Sequence, residues 1–558
     1  MGQYHLGLST SGHDPALAIV DEMGRVVFAE ATERFMQDKR AWGIAPDHVT
    51  HLESALSSIG FDPETDSLQV ATSWKHVKAD VPVTLSNVLL PATDGLWLRE
   101  LQSAAQLGAG ATLLRLRLAS TMPKIRRFDH HLCHAVSATV FATASDAACL
   151  VIDGEGEVGA VSLFDLRDRR LKRRWRSWGP GSLGTFYAWL TTLCGFDWRL
   201  GEEWKVMGLA AFGTPKAELQ QVLASVLSVE QGRLRFADHN ILVKAHETLS
   251  QFGRSDTAPV LQAADLAASG QAVFADLTDQ ILASCLEGSD GTLILSGGCA
   301  LNSSYNGTIV GRTGFERVFV PPAPADDGNA IGAAMLSWMQ TTGETRIPVS
   351  NGSAYLGSSS APKAVGRLSH LQGLGHVSDI SGDSAGQIAK HLAQGKIIGV
   401  MRGRAEFGPR ALGNRSILAD PRSPDMKDRI NRCVKGREPY RPFAPVIAEN
   451  RVSEWFERPQ PSPYMSVTLP WRAAGMARVP AVVHEDGTGR LQTVSPTNAA
   501  WMHDLTQAFG ALTGVPIVLN TSFNVMGKPI IHSVEDALAV FATSGLDAVL
   551  IDDHLIEK

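Results

Sequence analysis

The stretch His5-Leu6-Gly7-Leu8-Ser9-Thr10-Ser11-Gly12-His13-Asp14-Pro15-Ala16-Leu17-Ala18-Ile19-Val20 reads as an apolar strand over 5–8, a small and polar loop over 9–14 and a second strand over 16–20. A tight Asp21-Glu22-Met23-Gly24 turn then leads into a third strand at 26–31. The same order returns later: strand 149–152, an acid- and glycine-bearing loop 153–159, strand 160–164, a polar turn 165–169 and strand 171–175. A unit met twice predicts a duplicated α/β domain. In such a unit the loop after the first strand lets glycine backbone and hydroxyl groups approach a phosphate closely. Nucleotide handling is therefore expected, although ordinary meander turns give a similar pattern.

Between the repeats, 85–120 is rich in Leu, Ala and Arg and predicts one or two helices; 256–287 predicts a longer helical stretch. A small-residue helix is expected over 329–339, and 341–363, dense in Thr, Gly, Ser and Pro, is the natural linker. Beyond it a helix at 385–393, a strand at 397–401, the basic segment 402–441 and a strand at 516–519 predict a smaller α/β domain over 365–558, after a first domain over 1–350.

The 558 residues are 44% hydrophobic and 19% charged, a balance that suits packed domains and excludes a disordered or collagen-like chain. A net charge of −6 gives no overall drive toward nucleic acid or anionic lipid. The six cysteines, Cys133, Cys149, Cys194, Cys285, Cys299 and Cys433, form no CxxC pair, which argues against thiolate zinc fingers and predicts reduced thiols. No basic segment leads into an apolar run at the N-terminus, and the apolar stretch 537–551 is broken by Ser544, Gly545 and Asp547 short of about 18 residues. A cytoplasmic protein without membrane or nucleic-acid partners is expected.

Three groups of residues promise chemistry. In Asp129-His130-His131-Leu132-Cys133-His134, the spacing places His130 and His134 on one helix face, where two imidazoles can share a cation or form a hydrogen-bonded histidine cluster. Carboxylates to complete a cation site are offered by Asp153, in an acid-glycine turn, and by Asp326 or Asp327 before Gly328. Such a set suits divalent iron, manganese or zinc. Next, Ile294-Leu295-Ser296-Gly297-Gly298-Cys299-Ala300-Leu301-Asn302 runs from a strand through a glycine pair to a helix start, a shape that turns N–H groups toward an anion. Neither it nor the glycines around Gly184 and Lys205 make a P-loop or Rossmann fingerprint. Finally, Arg402, Arg404, Arg410, Arg415, Arg422, Lys427, Arg429, Arg432, Lys435, Arg437 and Arg441, interrupted by turns, predict arginine forks converging on a small dianion rather than on a polynucleotide.

Ser11-Gly12-His13-Asp14, His130-His131-Leu132-Cys133-His134-Ala135, Lys205-Val206-Met207-Gly208, Leu295-Ser296-Gly297-Gly298, Asp326-Asp327-Gly328, the segment from Glu406 to Leu418 and Arg441-Pro442-Phe443-Ala444-Pro445 follow one another in an order that resembles the NodU/CmcH family of O-carbamoyltransferases. The resemblance runs nearly end to end. It implies a duplicated actin/Hsp70-type, TsaD-like ATPase domain followed by a YrdC-like α/β domain. It further implies that carbamoyl phosphate yields carbamate at the YrdC-like domain, and that ATP converts this to carbamoyl-adenylate for transfer to a hydroxyl of a small metabolite.

Residue by residue, His130, His134, Asp153 and Asp326 match the family's metal ligands, with Fe²⁺ or Mn²⁺ as the ion, and His131 stands behind them. Asp326 is preferred to Asp327 because it opens the acid-x-Gly turn. Gly184, Gly298, Asn302 and Lys205 match nucleotide contacts. Lys39 belongs to an element in which Met36 and Gln37 replace the family's Thr and Arg. Arg410, Lys435, Arg441, Arg490 and Asn520 match the carbamoyl phosphate pocket, and His13 is expected to reach it from the first domain. A hydroxylated acceptor is expected near 74–120 and 212–251. An actin-fold kinase leaves the arginines without a task, and a tRNA threonylcarbamoyl transferase expects a polynucleotide that the net charge disfavours.

Overall fold

A computed structural model describes residues 2–75, 89–255, 257–287, 289–360, 362–367, 373 and 375–558. Residues 85–88 of the expected helical span, 76–88 of the expected acceptor segment, 256 at the start of the longer helical stretch, and 361 of the expected linker lie outside the described residues. The chain divides into two compact units. One comprises Met1–Glu33 with Arg40–Gly352; the other comprises Arg34–Lys39 with Ser353–Lys558.

The first unit carries the duplication as two sheets of identical plan. Strands β1 (Gln3–Leu8), β2 (Ala16–Val20), β3 (Val26–Ala31), β4 (Ser67–Thr72) and β5 (Arg126–Arg127) lie in the order β3-β2-β1-β4-β5. The second sheet uses β6 (Ala147–Ile152), β7 (Val161–Arg167) and β8 (Arg170–Arg176); a separate hairpin of β9 (Leu227–Glu230) and β10 (Arg233–Phe236) intervenes before β11 (Thr292–Ser296) and β12 (Arg317–Phe319). Its order, β8-β7-β6-β11-β12, is the first one repeated, with both meanders antiparallel and both β1–β4 and β6–β11 parallel. Parallel neighbours need a crossover, and the expected helices supply part of it: Ala92–Gly108 between β4 and β5, and Ala264–Ala283 between β6 and β11.

Helix Asn329–Thr342 explains the small residues in its sequence. A methyl group on Gly332 would lie 2.0 Å from the Cys133 carbonyl, so only glycine lets this helix approach helix His130–Phe141 so closely. That approach brings Asn329 against His130.

The second unit is one mixed nine-stranded sheet. Its strands are β13 (His376–Asp379), β14 (Ile398–Met401), β15 (Arg415–Ala419), β16 (Ala444–Ala448), β17 (Val467–Pro470), β18 (Thr488–Val494), β19 (Ile517–Ser522), β20 (Ala548–Ile551) and β21 (His554–Glu557). They run in the order β13-β21-β20-β14-β15-β19-β16-β18-β17. Helices Ser384–Ala393 and Ala500–Thr513 cover an apolar layer that includes Ile388, Phe509 and Val518, while Trp455, Phe523 and Phe541 belong to another. Among the described residues no helix is long and apolar enough to cross a membrane.

Candidate metal centre and anion pocket

In the first unit four side chains converge from three places in the sequence. Asp129 caps the helix that carries His130 and His134, accepting the Leu132 N–H at 3.0 Å. Asp153 follows the end of β6, and Asp326 opens the short turn that enters helix Asn329–Thr342. One ligand atom from each of His130, His134, Asp153 and Asp326 lies within 4.8 Å of the other three, and all four residues are buried. His130 Nε2 is 3.0 Å from Asp153 Oδ2 and 3.4 Å from Asp326 Oδ1; His134 Nε2 is 3.2 and 3.3 Å from the same atoms.

These residues fit a divalent ion. Neighbouring ligands held at ~2.1 Å around one cation stand about 3 Å apart, the spacing seen here. The two ring nitrogens also face each other at 3.2 Å, where a pair of N–H groups would repel and a shared cation would not. Burial pulls both imidazoles down, yet Asp326 and Asp153 hold His130 well above its usual range and Asp153 holds His134 up. Burial and mutual repulsion oppose ionisation of the two acids, but the histidines keep both below the usual carboxylate range. A bound cation would take the place of the imidazole protons.

The surroundings orient the four ligands. Gly298 N–H donates to Asp153 Oδ1 at 2.9 Å, leaving Oδ2 to face the imidazoles. Asn329 Nδ2 lies 3.2 Å from His130 Nδ1; with the amide's nitrogen and oxygen exchanged, its carbonyl oxygen would accept the Nδ1 proton and free Nε2 for a metal. Trp74 stacks on the His130 ring at 4.2 Å, and Glu157 accepts the His130 backbone N–H at 2.8 Å. His131 bonds Ser162 Oγ at 2.8 Å and is outside the four. Asp327 also lies outside them; its carboxylate accepts the Gly328 N–H, and burial beside Asp14 pushes it up to about 7. His13 stands in this unit, its Nε2 3.6 Å from Asp326 Oδ2 and its Nδ1 3.0 Å from Asp14, which Arg40 grips at 2.8 Å.

Of the expected nucleotide residues, Gly184 presses on Gly154, where a methyl group would meet Cα at 2.5 Å, and Gly298 holds Asp153. Asn302 caps the next short helix and pairs its amide with Gln271 at 3.0 and 3.1 Å. Lys205 pairs with Glu202 at 2.5 Å. Lys39 instead belongs to the segment that packs with the second unit. The sequence reading missed Asn329, Gln271 and Glu155. Burial pushes Glu155 up to about 8, and its Oε1 has no hydrogen-bond partner among the described residues.

In the second unit the motif from Glu406 to Leu418 is a loop wound around one carboxylate. Glu406 Oε1 accepts the N–H groups of Leu412, Asn414 and Arg415 at 2.7, 2.8 and 3.2 Å. Arg34, arriving from far upstream, donates to the Glu406 and Gly408 carbonyls, each at 2.5 Å. The loop thereby presents Arg410 with both of its flanks fixed. Burial lowers Arg410 to about 10, while burial with Arg410 and Arg437 close by takes Arg490 well below its usual range. Burial and Arg441 lower Arg437 to about 9, and burial with Arg437 and Arg441 lowers Lys435. Arg437 donates to Asn431 Oδ1 at 2.7 Å, Arg441 pairs with Glu438 at 3.3 Å, and Lys435 is held by Ser522 and Asn524, so among these bonds only that of Arg441 is to a carboxylate. The cations Arg410, Lys435, Arg437 and Arg490 make a candidate setting for a small anion.

The basic segment does not converge as a whole. Arg404 and Arg415 are spent on backbone carbonyls, Arg422 on Asp420, and Arg429 on Asp547 and the Gly395 carbonyl. These side chains satisfy acceptors of the fold, which composition could not distinguish from anion ligands. Lys435 points its ammonium at Ser522 and at Asn524 Oδ1, the latter at 2.7 Å, and so clamps the turn after β19. Asn520, 1% exposed, donates to the Ala411 carbonyl and to Gln492 at 3.1 and 2.8 Å.

Buried imidazoles and carboxylates in one unit and grouped cationic side chains in the other make two candidate chemical centres. Two family models match: Carbamoyltransferase N-terminus over residues 4–335 and Carbamoyltransferase C-terminus over residues 389–558. The chain belongs to the carbamoyltransferase family. It is 36% identical to nodulation protein NolO of Bradyrhizobium diazoefficiens over 77% of this chain and 79% of that one, and 30% identical to nodulation protein U of Sinorhizobium fredii over 92% and 93%. Among solved structures, full-length HypF in its phosphate- and nucleotide-bound form aligns with 62% of this chain and 56% of its own at 11% identity and a TM-score of 0.37.

Proposed function

We propose that this carbamoyltransferase is an ATP-dependent O-carbamoyltransferase acting in the cytoplasm on a hydroxyl of a small specialised metabolite. Its two units then correspond to an actin/Hsp70-type, TsaD-like domain and a YrdC-like domain. The observation that carries the reading is the loop wound around Glu406, which fixes Arg410 in the unit that also holds Arg437, Arg441 and Arg490, donors that a phosphorylated dianion would gather. In this pocket water opens carbamoyl phosphate to carbamate and phosphate. The guanidinium groups stabilise the charge that gathers on the departing phosphate, each by roughly a few kcal/mol. Lys435 adds charge and fixes the Ser522–Asn524 turn, and Asn520 braces the Arg410 loop.

At the first unit a carbamate oxygen attacks the α-phosphorus of ATP, pyrophosphate leaves and carbamoyl-adenylate forms. The acceptor oxygen then attacks the carbamoyl carbon, AMP leaves and the hydroxyl proton is lost. His130, His134, Asp153 and Asp326 would hold a divalent iron or manganese ion, which neutralises phosphate and carbonyl oxygens when bound. Gly184, Gly298 and Asn302 border the nucleotide, with Gln271 orienting the Asn302 amide. His13, braced by Asp14, positions the carbamate beside Asp326. The purified protein, supplied with ATP, carbamoyl phosphate, Fe²⁺ or Mn²⁺ and a panel of hydroxylated metabolites, is expected to release AMP and pyrophosphate. ADP as the nucleotide product would make it a kinase instead.

A further inference from the structure

The guanidinium groups of Arg410, Arg437, Arg441 and Arg490 only donate, so by themselves they would grip any phosphate alike. Among the acceptors of this unit left without a hydrogen-bond partner in the described residues are Asn520 Oδ1 and a nitrogen of His484. His484 begins the turn that feeds β18, its backbone N–H bonded to the Thr488 carbonyl at 2.8 Å. Thr488 Oγ1 donates its single proton to the exposed Asp486 carboxylate at 2.7 Å. It can therefore only accept from His484 Nδ1, 3.2 Å away. That bond fixes the Nδ1–H tautomer and leaves Nε2 a bare lone pair. Nε2 is buried and has no hydrogen-bond partner among the described residues. Thr488 and Arg490 lie two apart on β18 and project from one face, so the ring that Thr488 holds belongs to the Arg490 side of the sheet. Burial, Arg490 and Lys427 lower His484 to about 3, which keeps the ring neutral and its lone pair available.

We propose that His484 is a specificity residue of this pocket, accepting through Nε2 a hydrogen bond from the amide N–H of a carbamoyl phosphate ligand. The assignment rests on the carbamoyl phosphate reading above. A buried acceptor discriminates against a ligand that puts a methyl group where a donor should stand, because binding that ligand leaves the acceptor unpaired.

Titration calorimetry of the full chain with carbamoyl phosphate, acetyl phosphate and inorganic phosphate tests this, since acetyl phosphate puts a methyl group where the amide stands. The wild type is expected to prefer carbamoyl over acetyl phosphate by about tenfold or more. In His484→Phe, which keeps a ring and removes both nitrogens, the preference falls to near unity while affinity for inorganic phosphate stays within about twofold. His484→Gln, with an amide oxygen as acceptor, restores part of it. ¹⁵N-histidine spectra should show the Nδ1–H tautomer in the wild type, with the Nε2 signal moving when carbamoyl phosphate is added. A preference unchanged in a folded His484→Phe, or one lost only in Asn520→Ala, whose Oδ1 is also unpartnered, overturns the assignment alone. Failure of the wild type to bind any of the three phosphates overturns this assignment and the parent reading together.

Discussion

Asp153 and Glu406 each organise a centre with a single carboxylate, and their substitutions should fail differently. Asp153→Asn removes one charge from a site whose geometry depends on opposite charges about 3 Å apart. Bound metal, measured by elemental analysis after loading with Mn²⁺, is expected to fall from about one ion per chain to below a tenth, with activity falling in step. Glu406→Ala orphans three backbone N–H groups and should cost about 3 kcal/mol of unfolding free energy, read from denaturant curves. Glu406→Gln keeps an oxygen acceptor and should cost less. The convergence of His130, His134 and Asp153 with one of the Asp326-Asp327 pair was legible because its signal is local: a four-residue spacing and two acid-glycine turns. Asn329 and Gln271 were not, since an amide carries no distinctive spacing and acquires its task only when helices meet. The division of the arginines between carbonyls and the pocket was hidden for the same reason.

At the scale of elements, the duplication was readable because each half repeats strand, loop and hairpin within a few residues, whereas the β4–β5 and β6–β11 crossovers depend on partners far away in sequence. The crossing of helix Asn329–Thr342 over the His130 helix is the sensitive joint. Gly332→Ala places a methyl group against the Cys133 carbonyl and should destabilise by about 2 kcal/mol while weakening metal binding through Asn329, both measured on one preparation. On the opposite side, His5 of β1 bonds Ser337 of the same helix at 3.0 Å, and burial beside Arg126 lowers it from 6.5 to about 4. The folded ring is therefore neutral while the unfolded one takes a proton below about pH 6.5. Its contribution to stability is full above that pH, shrinks as pH falls toward 4 and levels off below. In His5→Gln, thermal unfolding between pH 7 and 4 should depend less steeply on pH, by up to about 1.4 kcal/mol per unit.

For the whole molecule, the excursion of residues 34–39 into the second unit is the feature that composition and periodicity did not reveal, because those residues continue a helix-like stretch directly after β3. Arg34 is buried and donates to two loop carbonyls, so Arg34→Ala should weaken phosphate binding at least about tenfold without removing any expected anion ligand. Calorimetry with inorganic phosphate checks this. The excursion also sets an order of events on the ribosome. Residues 34–39 leave the exit tunnel about 300 residues before their partners begin to emerge at Ser353, a delay of roughly 15–60 s at about 5–20 residues per second. During that interval the nascent chain carries a guanidinium whose final acceptors do not yet exist, and anything that pauses or truncates translation before Gly408 strands it. The two units are thus made in sequence but finished together, so a gene broken between them yields one piece missing a strap and another bearing a loose one.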